Sequence, residues 1–223
     1  MFGKTTIPFK INIRNIPRLI FVGFTTILLI LYPKYYINGR NYGYFPTISE
    51  TAIGDTNTQF FSASMAVNGF FVYITFYLII IWGEVFHMLP KWLIFIAQAL
   101  SYICPIMMIG LAVLPIDVSI QGHVLNAVPF FFLVLAFCIT IVIVLWKHMN
   151  GYIFWVRIAI ISFSIISYLC MTYIGKFVPP QNKLTIIAIF EVAYLISQSL
   201  LMGTFTHEIE AVEADFFIYD DEK

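Results

Sequence analysis

Six long apolar segments follow one another along the 223-residue chain, and they restrict its fold more than any other feature. Crossing the hydrocarbon core of a bilayer takes roughly 20 predominantly apolar residues in a helix. The segments lie at about 18–32, 62–82, 92–114, 123–146, 152–174 and 184–205. Because they are continuously apolar rather than alternating, they favour helices over the strands of a membrane barrel. The sequence therefore predicts an all-α, polytopic membrane protein, a single domain built as a bundle of six transmembrane helices.

The charge content excludes one class of partner. Charged residues make up 11% of the chain, whereas an average soluble domain contains about 25%. The formal net charge is zero, and no basic stripe of the kind that nucleic-acid binding requires is present. We therefore expect no nucleic-acid partner, and we expect membrane lipids to be the main surroundings of the chain.

The positions of Lys and Arg predict the orientation, because short cytoplasmic loops are enriched in these residues. If the N-terminus is cytoplasmic, the cytoplasmic side holds eight of the twelve: Lys4, Lys10, Arg14, Arg18, Lys91, Lys147, Arg157 and Lys223. The opposite side then holds four: Lys34, Arg40, Lys176 and Lys183. We therefore expect both termini to be cytoplasmic, with the first loop, before residue 62, on the lumenal or external side.

The last segment, 206–223, is predicted to be an acidic cytoplasmic tail. Its acidic residues are Glu208, Glu210, Glu213, Asp215, Asp220, Asp221 and Glu222, and apolar residues are interleaved with them. Such a charge run is typical of a solvated segment, and it is also compatible with a docking motif for a cytosolic protein partner. The sequence leaves both interpretations open.

Glu191 is the acidic residue that most needs explaining, because it lies within the sixth apolar segment. At 1.5 Å per residue it is on the order of 10 Å below the outer edge of the hydrocarbon. Acidic groups at such depth face the bundle interior, pair with another group or stay protonated. Glu191 is therefore either part of a site that opens outward or a protonated group that cross-links helices.

A small set of other polar residues is expected on the same outer side. His123 begins the fourth segment, and Asn126 follows one turn later on the same helix face. Glu50 and Asp55 belong to the first loop. Glu50, Asp55, His123, Asn126 and Glu191 therefore form a candidate ligand-binding or structural cluster, although a histidine at a membrane boundary is also common as a simple interfacial group.

No catalytic or metal-binding motif stands out. Only His123 among the four histidines is expected on the outer side, whereas a metal site draws several ligands into one shell. The sequence contains neither a Gly-x-Ser-x-Gly elbow nor a phosphate-binding glycine loop. We therefore assign no catalytic residue, no metal and no cofactor.

Four sequence features resemble those of a known family in order and position. Residues 46–52 (PTISETA) resemble the Pro-x-Ile-Ser-Asp-Thr-Gly signature of the FRAG1/DRAM/Sfk1 family, with Glu50 and Ala52 replacing Asp and Gly. Residues 123–127 (HVLNA), followed by three phenylalanines, are similar to its His-x-x-x-Ala motif. Glu191 and residues 204–209 (TFTHEI) resemble the acidic position and the ending of its last span. The similarity is greater to the DRAM/TMEM150/Sfk1 branch than to the PGAP2 branch.

The resemblance implies two alternative functions. The DRAM/TMEM150/Sfk1 branch implies a non-enzymatic membrane regulator, acting at lysosomes in autophagy or at the plasma membrane in phosphoinositide and lipid-asymmetry control. The PGAP2 and CWH43 members imply a factor in GPI-anchor lipid remodelling in the endoplasmic reticulum or Golgi membrane. We expect the first function and keep the second as its alternative.

Overall fold

The computed structural model of the chain describes residues 13–39, 43–146, 151–173 and 177–210, and every regular element in these ranges is helical. A short 3₁₀ turn, Ile13–Asn15, precedes seven α-helices. They are α1 (Ile16–Ile37), α2 (Ile48–Thr51), α3 (Asp55–Val85), α4 (Lys91–Val113), α5 (Ile120–Leu145), α6 (Gly151–Tyr173) and α7 (Pro180–Thr204). All except α2 are long and apolar enough to cross a membrane. The prediction of an all-α fold with six such helices is confirmed.

Each long helix begins before the apolar segment that predicted it, because helices extend into their polar first turns. The difference is largest at α3, whose first two turns carry the polar residues between Asp55 and Ser62. The outward surface is rich in large apolar side chains, such as Leu29, Phe95 and Leu125, each about 70% exposed. Lipid tails, rather than water, suit such a surface.

The six long helices form a closed ring. Going around it, α1 contacts α3, and then α4, α5, α6 and α7 follow in chain order until α7 returns to α1. Consecutive long helices run in opposite directions, so α1, α4 and α6 begin at the face where the described chain starts and ends. We refer to this as the terminal face and to the opposite one as the distal face. The predicted cytoplasmic location of the terminal face stays a prediction.

Apolar side chains fill the middle of the ring. Phe76 of α3 and Phe137 of α5 meet edge to face across it, with ring centroids 4.6 Å apart. On the α3–α4 side the backbones approach closely at Gly69, where an added Cβ would lie 3.2 Å from the Cβ of Met108. In lipid, the hydrophobic effect does not drive helices together, so their association depends on close packing. Small residues of this kind allow the backbones to approach closely enough for it.

A buried ion pair fixes the terminal end of α7 to α6. Arg157 is fully buried, and its two terminal nitrogens each lie 2.7 Å from a carboxylate oxygen of Glu208. Its Nε also donates to Thr204 Oγ1 (2.9 Å), and its guanidinium carbon lies 4.6 Å from the centre of the Phe205 ring. A bidentate pair with these extra contacts is the geometry in which a buried charge is well compensated. We refer to these four residues as the terminal clasp.

The clasp corrects the assignment of Glu208 to the acidic tail. A further helical turn at 206–210 continues the course of α7, and Glu208 is 8% exposed within it. Ile209, also buried, packs with Ile16 and Leu78. The sequence assigned this acidic group to water because charged residues rarely lie in a core, but its partner Arg157 lies 51 residues earlier in the chain. The acidic residues from Glu213 onward lie outside the described residues.

Candidate functional site

The signature segment 46–52 folds as a short, self-capped helix at the distal face. Thr47 caps α2 by accepting the Glu50 backbone N–H at its Oγ1 (3.2 Å). In return Glu50 Oε2 accepts the Thr47 backbone N–H (2.7 Å), and Oε1 accepts the Tyr44 hydroxyl (3.1 Å). This reciprocal arrangement is a capping box, which satisfies two backbone donors that the helix itself leaves free.

The first turn of α3 closes the other end of α2. Asn57 donates its amide to the carbonyl of Thr51 at 3.0 Å, and Thr58 donates its hydroxyl to the carbonyl of Ala52 at 2.8 Å. Gly54, between the two helices, has a φ of 102°, which a residue with a side chain rarely adopts. The four-residue helix is therefore held at both ends by side-chain hydrogen bonds.

The signature segment inserts into the bundle along α7. The backbone N–H of Phe45 donates to Thr185 Oγ1 at 3.0 Å, and that of Ile48 donates to Glu191 Oε2 at 3.2 Å. Thr185 and Glu191 are six residues apart, or about 9 Å along the helix. Three extended residues span at most about 10 Å, so the chain from Phe45 to Ile48 runs nearly straight down α7. Glu191 thus receives a backbone donor from the first loop.

Residues of α1 hold the outer part of the same segment. The Tyr32 hydroxyl donates to the carbonyl of Pro46 at 2.9 Å, and the Tyr32 ring stacks on Phe45 with centroids 4.9 Å apart. Neither Tyr32 nor Thr185 was predicted from the sequence to belong to the site. A polar side chain near the distal end of a span was the only available signal, and many residues share it.

His123 forms the second link between α2 and the bundle. Its Nε2 lies 2.7 Å from Ser49 Oγ, and its Nδ1 lies 3.1 Å from the backbone carbonyl of Leu114. A carbonyl oxygen only accepts, so Nδ1 is the donor, and in a neutral ring Nε2 then accepts the Ser49 hydroxyl. Both side chains are buried. Ser49 lies within the signature but was not selected from the sequence, because serine is common in any loop.

A small cavity of about 20 Å³ lies beneath α2. Its polar lining comes from Ser49, His123 and Glu191, and apolar side chains of α2, α3, α4, α5 and α7 provide the rest. A space of this size holds about one water molecule. Three elements that are distant in sequence therefore bring a hydroxyl, an imidazole and a carboxylate to the wall of one cavity. We refer to Ser49, His123 and Glu191 as the distal cluster.

The other selected residues lie outside this cluster. Glu50 is used within the α2 cap, one helix position beyond Ser49. Asn126 donates to its own helix at the carbonyl of Gly122 (2.7 Å) and packs against Gly110 of α4, where an added Cβ would overlap its amide. Asp55 begins α3, and its side chain lies outside the described residues.

Among the described residues, no group of three or more His, Cys, Asp or Glu side chains is placed to hold a metal ion. The chemistry that the distal cluster offers is instead hydrogen bonding and proton exchange. Ser49 and His123 form one hydrogen-bonded pair, and Glu191 accepts from the backbone of the same segment.

Comparison with known families matches residues 13–212 to the model of the Frag1/DRAM/Sfk1/Cwh43P N-terminal domain. The chain has no match among curated proteins or among solved structures. The family match includes every long helix, α2 and the terminal clasp, and it confirms the resemblance at the level of the family; the preferred branch stays a prediction. With its six apolar helices, this chain is an integral membrane protein that belongs to the Frag1/DRAM/Sfk1/Cwh43P N-terminal domain family.

Proposed function

We propose that the protein is a non-enzymatic membrane regulator of the DRAM/TMEM150/Sfk1 type. It acts either at lysosomes in autophagy or at the plasma membrane in phosphoinositide and lipid-asymmetry control. The observation that carries this proposal is that the family-motif residues hold a loop segment in place. Within the signature segment, Glu50 caps α2 and Ser49 pairs with His123; on α7, Glu191 accepts a backbone N–H of that segment. Their polar groups hold a loop segment in the bundle, which suits recognition better than turnover.

The docked segment supports a way in which such a regulator would recognise lipid. Among the described residues, two hydrogen bonds join α2 to α5 and α7: the Ile48 N–H donates to Glu191, and Ser49 pairs with His123. Each hydrogen bond of this kind is worth about 0.5–1.5 kcal/mol net. Withdrawal of α2 would expose the Glu191 carboxylate and the His123 imidazole to a lipid headgroup at the distal face. The segment therefore acts as a reversible cover over these two groups.

Complementation of a deletion strain tests this proposal. A tagged wild-type copy is expected at lysosomes or the plasma membrane, and it should restore autophagic flux, the phosphoinositide level or surface phosphatidylserine to normal. Glu191→Leu removes the acceptor for Ile48 and should fail to restore the affected quantity. Asp117→Asn, at an exposed distal residue, is the matched control and should restore it. A location in the endoplasmic reticulum or Golgi, or no change in the three quantities on deletion, would contradict the proposal.

One observation favours the alternative, a role in GPI-anchor lipid remodelling. A serine hydroxyl bonded to Nε2 of a histidine, whose Nδ1 is fixed by another acceptor, is the arrangement by which a base activates a nucleophile. For a lipid ester that reached this pair, the Ser49 oxygen would bond to the carbonyl carbon while His123 Nε2 took the hydroxyl proton. The imidazolium would return that proton to the departing alcohol, and water would then release the acyl group from Ser49. Glu191, on the wall of the same cavity, would then bind or orient the substrate.

Ser49→Ala distinguishes the two functions because it removes the hydroxyl and little else. In the remodelling role, this variant and Glu191→Gln should both lower surface GPI-anchored proteins or change the lipid of their anchors. Normal anchors and normal surface levels in both variants and in the deletion strain would eliminate the alternative. In the regulatory role, Ser49→Ala should weaken only the docking of α2.

A further inference from the structure

A groove at the terminal face, far from the distal cluster, has the size and lining of a ligand site. It lies between the end of α3 and the first turns of α4, and its volume is about 570 Å³. Pockets for small molecules typically measure about 300–1,000 Å³. Its lining combines the apolar side chains of Leu89, Ile94 and Phe95 with the charged Glu84 and Lys91 and the imidazole of His87.

The position of the groove is that of a lipid headgroup and its upper chains. Lys91 is the first residue of α4, and Trp92 beside it is 56% exposed. Trp146 and Trp155, also more than half exposed, lie near the terminal ends of α5 and α6. Tryptophan concentrates at the membrane–water interface, so these side chains mark the level of the headgroups. The charged rim of the groove lies at this level, and its apolar part continues toward the hydrocarbon.

The rim of the groove carries an acidic residue, Glu84, and two basic residues, His87 and Lys91, that form no ion pair with it in the part of the chain that the structure describes. Glu84, His87 and Lys91 are all exposed and line the same groove. Within the described residues, no ion pair of 4.0 Å or less joins Glu84 to either basic residue. The space between them therefore suits a ligand that carries a negative and a positive group of its own.

Gln98 provides a further polar contact deeper in the groove. It follows Lys91 by two helical turns, or about 10 Å, and its side chain is exposed toward the lipid. In the part of the chain that the structure covers, its amide forms no hydrogen bond. An amide left without a partner in an apolar environment is costly. A lipid ester carbonyl, which lies below the phosphate of a phospholipid, would accept a hydrogen bond from it.

From this lining we infer that the groove binds a glycerophospholipid with a zwitterionic headgroup. Lys91 and His87 contact the phosphate, Glu84 contacts the ammonium group, Gln98 donates to an ester carbonyl, and Ile94 and Phe95 pack on the acyl chains. Phosphatidylglycerol, which is anionic, has no ammonium group to pair with Glu84, and an uncharged diacylglycerol offers neither a phosphate to Lys91 nor an ammonium group to Glu84. The inference does not depend on the proposed function, because it uses no residue of the distal cluster.

The test is lipid binding to the purified full-length protein by native mass spectrometry. The probes are phosphatidylethanolamine, phosphatidylcholine, phosphatidylglycerol and diacylglycerol, all with the same oleoyl chains. The two zwitterionic lipids should bind about fivefold more tightly than the other two, the effect expected for one partly exposed charge pair. Equal binding of all four lipids, or a preference for phosphatidylglycerol, would overturn the inference.

Variants of single rim residues sharpen the test because their expected effects differ. Glu84→Gln should abolish the preference for zwitterionic lipids over phosphatidylglycerol. Lys91→Gln should weaken the binding of all three phospholipids and leave the binding of diacylglycerol unchanged. Gln98→Leu should weaken the binding of all four lipids. The control is Lys183→Gln, an exposed residue at the distal face, which should change nothing. A zwitterionic preference that survives Glu84→Gln would refute the assigned site. Glu191→Gln, in the distal cluster, should leave the zwitterionic preference intact, whether or not this variant loses the proposed function.

Discussion

The distal cluster and the terminal clasp both place acidic side chains inside the bundle, but they compensate them differently. In the clasp, the carboxylate of Glu208 meets a full positive charge on Arg157 through two bonds of 2.7 Å. In the distal cluster, Glu191 accepts a single backbone N–H at 3.2 Å from a loop segment. The clasp joins two transmembrane helices, whereas the distal contacts join a short helix to the bundle.

This difference separates a fixed end of the molecule from a reversible one. Breaking a buried ion pair by removal of one partner costs about 3–5 kcal/mol. Each of the hydrogen bonds that join α2 to α5 and α7 is worth about 0.5–1.5 kcal/mol. The terminal ends of α6 and α7 are therefore expected to stay together under conditions in which α2 can still leave and return. A regulator that responds at one face needs such an asymmetry.

The largest expected effect follows from removing the positive charge of the clasp. Arg157→Leu leaves Glu208 buried without its partner and should lower the free energy of unfolding by about 3–5 kcal/mol. The double variant Arg157→Leu/Glu208→Leu removes both charges and should recover much of that loss. The measurement is the unfolding free energy in mixed micelles.

An exposed arginine provides the matched control for the clasp. Arg18 of α1 is exposed, and among the described residues its one side-chain hydrogen bond is to Asn15, three residues earlier, at 3.2 Å. Arg18→Leu should change the free energy of unfolding by less than about 0.5 kcal/mol, as is usual for surface substitutions. An equally small effect of Arg157→Leu would remove the contrast between the two ends.

The sequence predicts the six helices well because each one is required by a local property. A continuous apolar segment has few alternatives in a bilayer, since its backbone must satisfy its own hydrogen bonds. The clasp was not predicted for the opposite reason: Arg157 and Glu208 are 51 residues apart and each looks like an ordinary charged residue near a span end. Their pairing depends on how α6 packs against α7, which no local pattern contains.

The candidate site was likewise predicted only in part. Glu191 and His123 were selected because a polar group in or beside an apolar segment needs a reason, and both contact α2. Ser49 and Thr185 were not selected, because their roles depend on the extended course of residues 45–48 along α7. Asn126 shares a helix with His123, yet its amide turns back to Gly122 and packs on α4.

A second prediction concerns how firmly Glu191 holds the signature segment. Glu191→Leu leaves the Ile48 N–H without an acceptor, which costs about 1–3 kcal/mol for a buried donor. Glu191→Gln keeps a side-chain oxygen and should cost less than half as much. The measurement is hydrogen exchange of the segment 44–52, which should become faster in the Leu variant. Unchanged protection there would mean that Glu191 does not hold α2, and the contrast with the clasp would lose its basis.

The smallest effect is expected at the cap of α2, where the change stays local. Thr47→Ala removes the acceptor for the Glu50 N–H and should destabilise the short helix by about 1 kcal/mol, the usual value of an N-cap. Thr47→Ser keeps the hydroxyl and is the control. If α2 acts as a reversible cover, its opening is a local event with a lower free energy than global unfolding. Hydrogen exchange should therefore quicken at 48–51 in the Ala variant, while unfolding in mixed micelles stays unchanged. If Thr47→Ala lowered global stability as Arg157→Leu does, α2 would unfold only together with the six long helices and would be unable to act as a reversible cover.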